Sequence, residues 1–589
     1  MREAREHQFT THDGTALFYR HWPRASPGSP GRALVLLHRG HEHSGRLQHV
    51  VDELDLGDFD MFAWDARGHG RSPGERGDSP SFAAAVKDVD WFVHHVARTH
   101  AISPDDMVVV GQSVGAVLAS AWVHDYAPPL RGLVLTAPAF KVKLYVPLAR
   151  PALSLWYRLR GNFFVKSYVK ARFLTHDPER VRSYDTDPLI ARSISARVLL
   201  GLYSAAERTV GDAQAIRTPV QLLVSDTDWV VHRGPQDEFF ARLGSRVKER
   251  HLLPGFLHDT LGERDRALAL GHVRGFVGRL FEAGAEPQPE DEELLQAHRR
   301  GHTRDEENRL ASPLPRWSPR RVGFGLTRLS MHTLGRLSEG IRLGLRTGFD
   351  SGATLDYVYR NVAAGALGVG RLIDRGYLDA IGWRGIRVRK HHLGEAIATA
   401  ARALAAEGRP ARILDVAAGH GRCVLDAACA LPTRPQSVRL RDYDAANVRA
   451  ARALAAERGL GDVAHCEVAD AFDAESLQAL ASPESGPNLA VVAGLYELYS
   501  DNDTVSRSLG GLADAVAAGG FLVYTGQPWH PQLEMIARTL TSHRGGKPWV
   551  MRRRTQAELD ALVTAAGFRK IDQWIDDWGI FTVSLARRS

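Results

Sequence analysis

Short, unbroken apolar runs recur along two stretches of the chain, separated by longer segments of mixed polarity. The first stretch carries ALVLLH (33–38), DMFAW (60–64), MVVVG (107–111), GLVLT (132–136) and VQLLV (220–224). Runs of this length with no polar alternation read as strands buried on both faces. The helix-length segments between them predict an α/β fold with a mainly parallel sheet. Asp13-Gly14 predicts a hairpin turn ahead of the first run. About 80 residues separate GLVLT from VQLLV, beginning KVKLYVPLARPALSLWYRLRGNFF. That is too long for a plain crossover and predicts a cap, about 141–215, over the C-terminal edge of the sheet. The second stretch repeats the rhythm with RILDVAAG (412–419), SVRLRDYD (437–444), AHCEVAD (464–470), LAVVAGLY (489–496) and GFLVYTG (520–526). Residues 282–320 gather Pro and charge with few aliphatics, which predicts a linker. The expected organisation is a first domain over 1–281, a linker over 282–320 and a second domain over 321–589, whose lead-in, 321–410, is helical and basic.

Composition narrows the class. With 589 residues the chain is too long for one core, and 44% hydrophobic with 24% charged residues is globular composition. No run reaches the roughly 18 to 20 apolar residues that span a bilayer. The start, MREAREHQFTTHDG, carries acids where a secretory signal has an apolar core, so a cytoplasmic chain is expected. Cys423, Cys429 and Cys466 lack ligand spacing, which predicts neither a disulfide framework nor a metal site. The net charge of +7 is carried by arginine, with 9 lysines among 75 basic residues. No zinc-finger, RNP-like or basic-zipper pattern accompanies it, so nucleic acid is not an expected partner.

Gly111-Gln112-Ser113-Val114-Gly115 lies between an apolar strand and a helix-forming run, the context of a nucleophile elbow. The turn is sharp enough to require the glycines, and it places Ser113 at a helix N-terminus whose N–H groups can hold an oxyanion. Such a nucleophile needs an acid and then a histidine later in the chain. VQLLVSDTDWVV supplies Asp228, with Asp226 as its rival, and RHLLPGFLHD supplies His258.

LLHRGHEHSGR (36–46), WDARGHGRSPGERG (64–77), GQSVG (111–115) and LTHDPERVRSYDTDPLI (174–190) resemble the monoacylglycerol lipase and lysophospholipase branch of the α/β-hydrolases. The resemblance covers nearly all of residues 9–280. It implies an α/β-hydrolase fold with a helical cap and a triad of Ser113, Asp228 and His258. It also implies oxyanion donors in the backbone N–H groups of Gly40 and Val114, and a monoacyl ester as substrate. Arg39 stands where that family has glycine. The apolar cap residues Leu144, Val146, Leu148, Leu153, Leu155, Trp156, Phe163 and Phe164 either line an acyl pocket or pack on the sheet.

In the second stretch ILDVAAGHGR (413–422) sets Asp415 at a strand end, followed by the small residues Ala417, Ala418, Gly419 and Gly421, where a backbone must approach a ligand closely. The next strand ends in Asp442, 27 residues on, and the third in Asp470. Over residues 390–589 these resemble the motifs of class I S-adenosylmethionine-dependent methyltransferases. The resemblance implies a Rossmann-like domain and S-adenosylmethionine as cofactor. Asp415, Ala417, Gly419 and Gly421 would form the cofactor loop, Asp442 would take the ribose and Asp470 the adenine side. A nicotinamide-dinucleotide dehydrogenase is the competing reading. GLYELYSDND (494–503) is not the Asn/Asp-Pro-Pro-aromatic signature of amide or ring-nitrogen methylation. Tyr496, Glu497 and Tyr499 are candidates for the acceptor side, with QPWHPQLEM (527–535) and TGFDSGATLDYVYRN (347–361) as features that shape it.

The chain therefore reads as a fusion of a serine ester hydrolase and a methyltransferase, with an acyl ester and S-adenosylmethionine as partners. The alternative is an active hydrolase joined to a cofactor-sensing or membrane-docking module. On a helical wheel over 320–349, Leu334, Leu337, Ile341 and Leu345 share one face, and Arg328, Arg336, Arg342 and Arg346 the other. This is either a helix lying at the inner face of an anionic membrane or one packed on the second domain.

Overall fold

The computed structural model describes residues 1–25, 31–146, 148–167, 169–282, 290–482 and 484–589. It divides into two compact units, Met1–Gln288 and Pro289–Ser589.

The first unit is built on strands β1 (Arg5–Thr10), β2 (Ala16–Trp22), β3 (Ala33–Leu37), β4 (Asp60–Trp64), β5 (Met107–Gln112), β6 (Gly132–Thr136), β9 (Val220–Ser225) and β10 (Lys248–Leu253), with the short β7 (Phe164–Lys166) and β8 (Ser193–Ser195) lying in the insertion. The eight strands form one sheet in the order β1-β2-β4-β3-β5-β6-β9-β10. β1, β2 and β4 pair antiparallel and every later pairing is parallel. Every residue of β3, β4, β5, β6 and β9 is buried, which explains their lack of alternation. One face packs Leu34, Leu36, Val108 and Val110 against Leu270, Val273 and Phe276 of the helix Ala267–Glu282. The stretch between β6 and β9 holds the helices Ala149–Arg160, Pro178–Thr186 and Ala196–Gly211 and the antiparallel pair β7–β8.

The second unit carries β11 (Arg412–Asp415), β12 (Ser437–Asp442), β13 (Ala464–Val468), β14 (Leu489–Val492), β15 (Phe521–Gly526), β16 (Phe568–Ile575) and β17 (Thr582–Arg588). Their order is β13-β12-β11-β14-β15-β17-β16. The first five are parallel, and β17 runs antiparallel to both of its neighbours. The helix Ile381–Ala406 leads into β11, and Leu393, Ala396, Ile397, Ala400 and Leu404 form its buried stripe at three- and four-residue spacing against the sheet.

Two expectations are corrected. Much of the expected linker is folded into the second unit: residues 290–295 and 302–311 are helical. Leu310 is buried with Phe349 and Trp383. Glu306 accepts from Arg553 Nε at 2.5 Å, and Thr303 from Arg552 Nη1 at 2.9 Å. One of the charges that suggest solvation, Glu306, is instead the partner of a buried arginine; residues 283–289 lie outside the described residues. The continuous helix expected over 320–349 is broken into Pro319–His332, a single tight turn Leu334–Leu337, and Glu339–Thr347. Thr333 leaves helical geometry (ψ −94°), and Ser338 caps the last segment by accepting from the Ile341 N–H. Ile341, Leu343 and Leu345 pack inward, so the wheel's two faces do not exist as one surface. Among the described residues no helix is long and apolar enough to cross a membrane.

Candidate active sites

β5 delivers Ser113 into a backbone conformation that side chains rarely adopt, φ 55° and ψ −112°, directly before the helix Val114–Tyr126. The neighbouring glycines are sterically required. A Cβ at Gly111 would lie 2.7 Å from Ala116 Cα, and one at Gly115 2.5 Å from the His38 carbonyl oxygen. This strain fixes the hydroxyl toward the loops at the sheet's C-terminal edge. Ser113 Oγ–H donates to His258 Nε2 at 2.7 Å, and His258 Nδ1–H donates to Asp228 Oδ2 at 2.7 Å. Asp228 Oδ1 accepts the Val230 and Val231 N–H groups at 2.7 and 3.0 Å. Burial opposes the Asp228 charge, yet the His258 contact and these N–H donors hold its carboxyl below the usual carboxylate range. The rival Asp226 is exposed and faces Arg233 at 3.6 Å.

Gly40 and Val114 approach so closely that a Cβ on Gly40 would lie 2.9 Å from Val114 Cγ2. Among the described residues neither backbone N–H has an acceptor, so both are available to an oxyanion beside Ser113. Arg39 does not cross this space. Its Nε and Nη2 form two bonds to Glu42 at 2.7 and 2.6 Å, and Nη2 lies 3.4 Å from Asp259. Burial opposes this charge, but Asp259 and Glu42 more than offset it and hold the guanidinium above its ordinary value. Sequence reasoning missed this clamp, whose signals are Glu42 three residues on and Asp259 next to His258. A cavity of about 800 Å³ opens over Ser113 and His258. Leu144, Val146, Leu153, Trp156 and Phe163 of the insertion line it, whereas Leu148 and Leu155 are exposed.

In the second unit the turn after β11 contains Gly419 (φ 54°) and Gly421 (φ 71°), conformations that favour glycine. Asp415 Oδ1 accepts the Ala417 N–H at 3.3 Å, and burial pushes this carboxyl up to about 7. Asp442 ties the turn to β12: one oxygen accepts the Gly419 N–H (2.9 Å), the other the Asp444 N–H (2.9 Å) and Asn447 Nδ2 (3.0 Å). Asp470 is exposed and caps its own turn through the Phe472 N–H at 2.9 Å. Phe472 meets Tyr499 edge to face at 4.4 Å, and both Asp470 and Asp442 help to raise the Tyr499 hydroxyl's pKa, after burial. The three acids and Tyr499 thus share one edge of the sheet.

Of the expected acceptor residues, Tyr496 is fully buried with its hydroxyl bonded to Ser508 at 3.0 Å, a packing role. Glu497 instead borders a cavity of about 90 Å³ together with Asp350, Leu355, Gln527, His530 and Met535 from the two conspicuous sequence segments. Sequence reasoning missed Arg389, Trp383 and Trp549 on the same wall, because they come from a helix and a loop far away in the chain. Side-chain atoms of His298, Asp501 and Asp503 lie within 4.8 Å of one another, a spacing a cation accepts. Asp501 already caps a helix through the Thr504 N–H, and Asp503 pairs with Arg299 at 3.1 Å.

A family model described as "Putative methyltransferase" (Methyltransf_20) matches residues 273–588, more than half of the chain. The chain belongs to that family. A second model, described as "Serine aminopeptidase, S33" (Hydrolase_4), matches residues 28–265, and the first unit is an α/β-hydrolase domain. The whole arrangement recurs in "Uncharacterized protein YnbC" of Escherichia coli (strain K12), 54% identical over 99% of this chain and 98% of that one. The first unit is also similar to the monoacylglycerol lipase of Mycolicibacterium smegmatis, 27% identical over 46% of this chain and 96% of the lipase. The Homo sapiens monoglyceride lipase is 27% identical over 37% of this chain and 71% of its own. By the description of this family, the domain behind the hydrolase is of methyltransferase type.

Proposed function

We propose that the first unit hydrolyses monoacyl esters through an acyl-serine intermediate and that the second transfers methyl groups from S-adenosylmethionine. The observation that carries the first half is the Ser113–His258–Asp228 chain of hydrogen bonds at the floor of an apolar cavity large enough for an acyl chain. In this reading Ser113 Oγ attacks the ester carbonyl carbon while its proton passes to His258 Nε2. Asp228 holds Nδ1–H and stabilises the imidazolium, and the Gly40 and Val114 N–H groups take the charge on the carbonyl oxygen. The tetrahedral adduct then expels the alcohol with the proton from His258. Water repeats the sequence and frees the acid. The similar lipases support a glycerol monoester as the first substrate to test.

For the second half, support comes from the strand order, with a Gly turn after the central β11 and acids at the ends of β12 and β13. These residues fit S-adenosylmethionine. The positive-φ turn at Gly419 and Gly421 offers backbone to the amino-acid portion, Asp442 keeps lone pairs for ribose hydroxyls, and Asp470 with Phe472 and Tyr499 suits a flat base. The cofactor would supply an electrophilic methyl group, and the protein's own task would be to hold an acceptor in line and exclude water. Two assays test the whole reading: release of fatty acid from monoacylglycerols of graded chain length, and calorimetric titration with S-adenosylmethionine against a nicotinamide dinucleotide. Absence of fatty-acid release would overturn the first half. Heat from the dinucleotide alone would overturn the second.

A further inference from the structure

The cavity beside Glu497 lies at the C-terminal ends of β14 and β15, where Gly494 and Gln527 follow the strands. Ligands of open α/β sheets bind on this side. Most of its wall is apolar and partly flat: Trp383, Ile386, Ile536, Trp549, Met551 and Phe581. Its polar end is a buried pair, Arg389 (3% exposed) and Glu497 (9%), with Arg389 Nη1 3.6 Å from Glu497 Oε1. Two further groups fix the pair. Thr525 Oγ1–H donates to Glu497 Oε1 at 2.7 Å and itself accepts the Gly494 N–H at 2.8 Å. Gly494 has φ 70°, which favours glycine, and a Cβ there would lie 3.0 Å from Arg389 Nη2 and press on the guanidinium.

Among the described residues, three buried polar atoms of this wall have no hydrogen-bond partner: Glu497 Oε2, Arg389 Nε and Trp549 Nε1. A fourth group, His530, accepts the Gln532 N–H through Nδ1 at 3.0 Å, and burial lowers it to about 4, so the ring is neutral with its proton on Nε2. Buried polar atoms are almost always paired, and this concentration around one cavity marks a place where a ligand supplies the partners.

The charges narrow the chemistry. Arg389 and Glu497 already compensate one another, so a bound carboxylate would face Glu497, and a bound ammonium would face Arg389, each as an uncompensated buried charge. An uncharged hydroxyl has neither fault: it donates to Glu497 Oε2 and accepts from an N–H of the same wall. We propose that this cavity binds an uncharged, hydroxyl-bearing ligand with a flat apolar body, a phenol or aromatic alcohol, with its O–H on Glu497. That this hydroxyl is the methyl acceptor rests on the methyltransferase reading; the binding itself does not.

The test uses the full chain at pH 7.5 without any methyl donor, titrated calorimetrically with three matched probes: 4-methylphenol, 4-methylbenzoate and 4-methylbenzylamine. The expected result is at least tenfold tighter binding of the phenol than of either ion, and a loss of at least tenfold for the phenol in Glu497→Gln. An unchanged melting profile and circular dichroism spectrum would show that this variant is folded. Binding in the large cavity of the first unit is insensitive to Glu497→Gln and is recognised by that. Should Glu497→Gln fail to fold, Trp549→Phe, which removes one donor and no charge, is expected to weaken the phenol about threefold. Equal affinity for an ion in the wild type, or unchanged phenol affinity in whichever variant folds, would overturn the proposal. A separate titration with S-adenosylmethionine keeps the readings apart. Phenol binding without cofactor binding defeats methyl transfer but not this pocket, and cofactor binding without phenol selectivity defeats the pocket alone.

Discussion

In the first unit the reactive side chains satisfy one another: Ser113 bonds to His258, His258 to Asp228, and Asp228 to two backbone N–H groups. Among the described residues, buried atoms without a hydrogen-bond partner occur on the walls of both cavities, on Arg39 and His41 in the first unit and on Arg389, Glu497 and Trp549 in the second, but not on the first unit's three reactive side chains. On the proposed functions, the difference follows from where the chemistry comes from. A hydrolase whose nucleophile is its own side chain must hold proton acceptor and orienting acid in place before substrate arrives, so the protein supplies every partner. A transfer site whose reactive group arrives with a ligand leaves part of its hydrogen bonding to be completed by that ligand. Strain is distributed accordingly. The first unit places a serine at φ 55°, whereas the loop after β11 uses glycines at positive φ, which carry no comparable penalty.

Breaking the first site should give the largest effect. Ser113→Ala is expected to lower kcat for ester hydrolysis by on the order of a millionfold with an unchanged circular dichroism spectrum. A loss of less than about a hundredfold would mean that another group attacks. Asp228→Asn keeps the shape but presents an amide to His258, with an expected loss of about ten-thousandfold. Asp226→Asn, measured beside it, should leave the rate unchanged.

In the second unit the same kind of change reads out as stability and affinity. Burial raises the Asp415 carboxyl to about 7, so the folded chain holds a proton that the unfolded chain has lost between about pH 4 and pH 7. The unfolded state binds fewer protons across that window, and stability falls as pH rises. Asp415→Asn should therefore stabilise the unit by on the order of 2 to 4 kcal/mol at pH 8, with the gain shrinking toward pH 5. Thermal melts at the two pH values check the sign. Smaller in free energy is Asp442→Ala, expected to weaken S-adenosylmethionine by roughly 10- to 100-fold, from loss of charge-assisted bonds worth about 1.5 to 3 kcal/mol. Part of that loss would come through the freed Gly419 turn. Asn447→Ala, which removes one of the groups bonded to Asp442 but not the acid, separates the two by weakening binding only slightly.

Much of the architecture was legible along the chain. The runs at 60–64, 107–111, 132–136 and 220–224 lie within β4, β5, β6 and β9, and the run at 33–38 overruns β3 by His38 alone, because strands buried on both faces leave an uninterrupted apolar signature. β10, β16 and β17 were not read. Lys248–Leu253 and Phe568–Ile575 mix charge with apolar residues, as strands at sheet edges do, and lack that signature. Residues 282–320 read as a linker, because sequence shows a charge at Glu306 but neither the Arg553 that pairs with it nor the Arg552 that donates to Thr303.

By itself the sequence determined the strand–turn–helix settings of Ser113 and of Asp415, since glycine spacing and apolar periodicity are local and act over a few residues. Only the tertiary structure decided between Asp226 and Asp228, turned Arg39 away from the Gly40 N–H into a clamp with Glu42 and Asp259, and brought Arg389 to Glu497 across more than a hundred residues. Those outcomes depend on which buried charge finds which partner. In a low-dielectric interior that pairing is set by the packing of whole helices and strands, and it leaves no periodic trace along the chain.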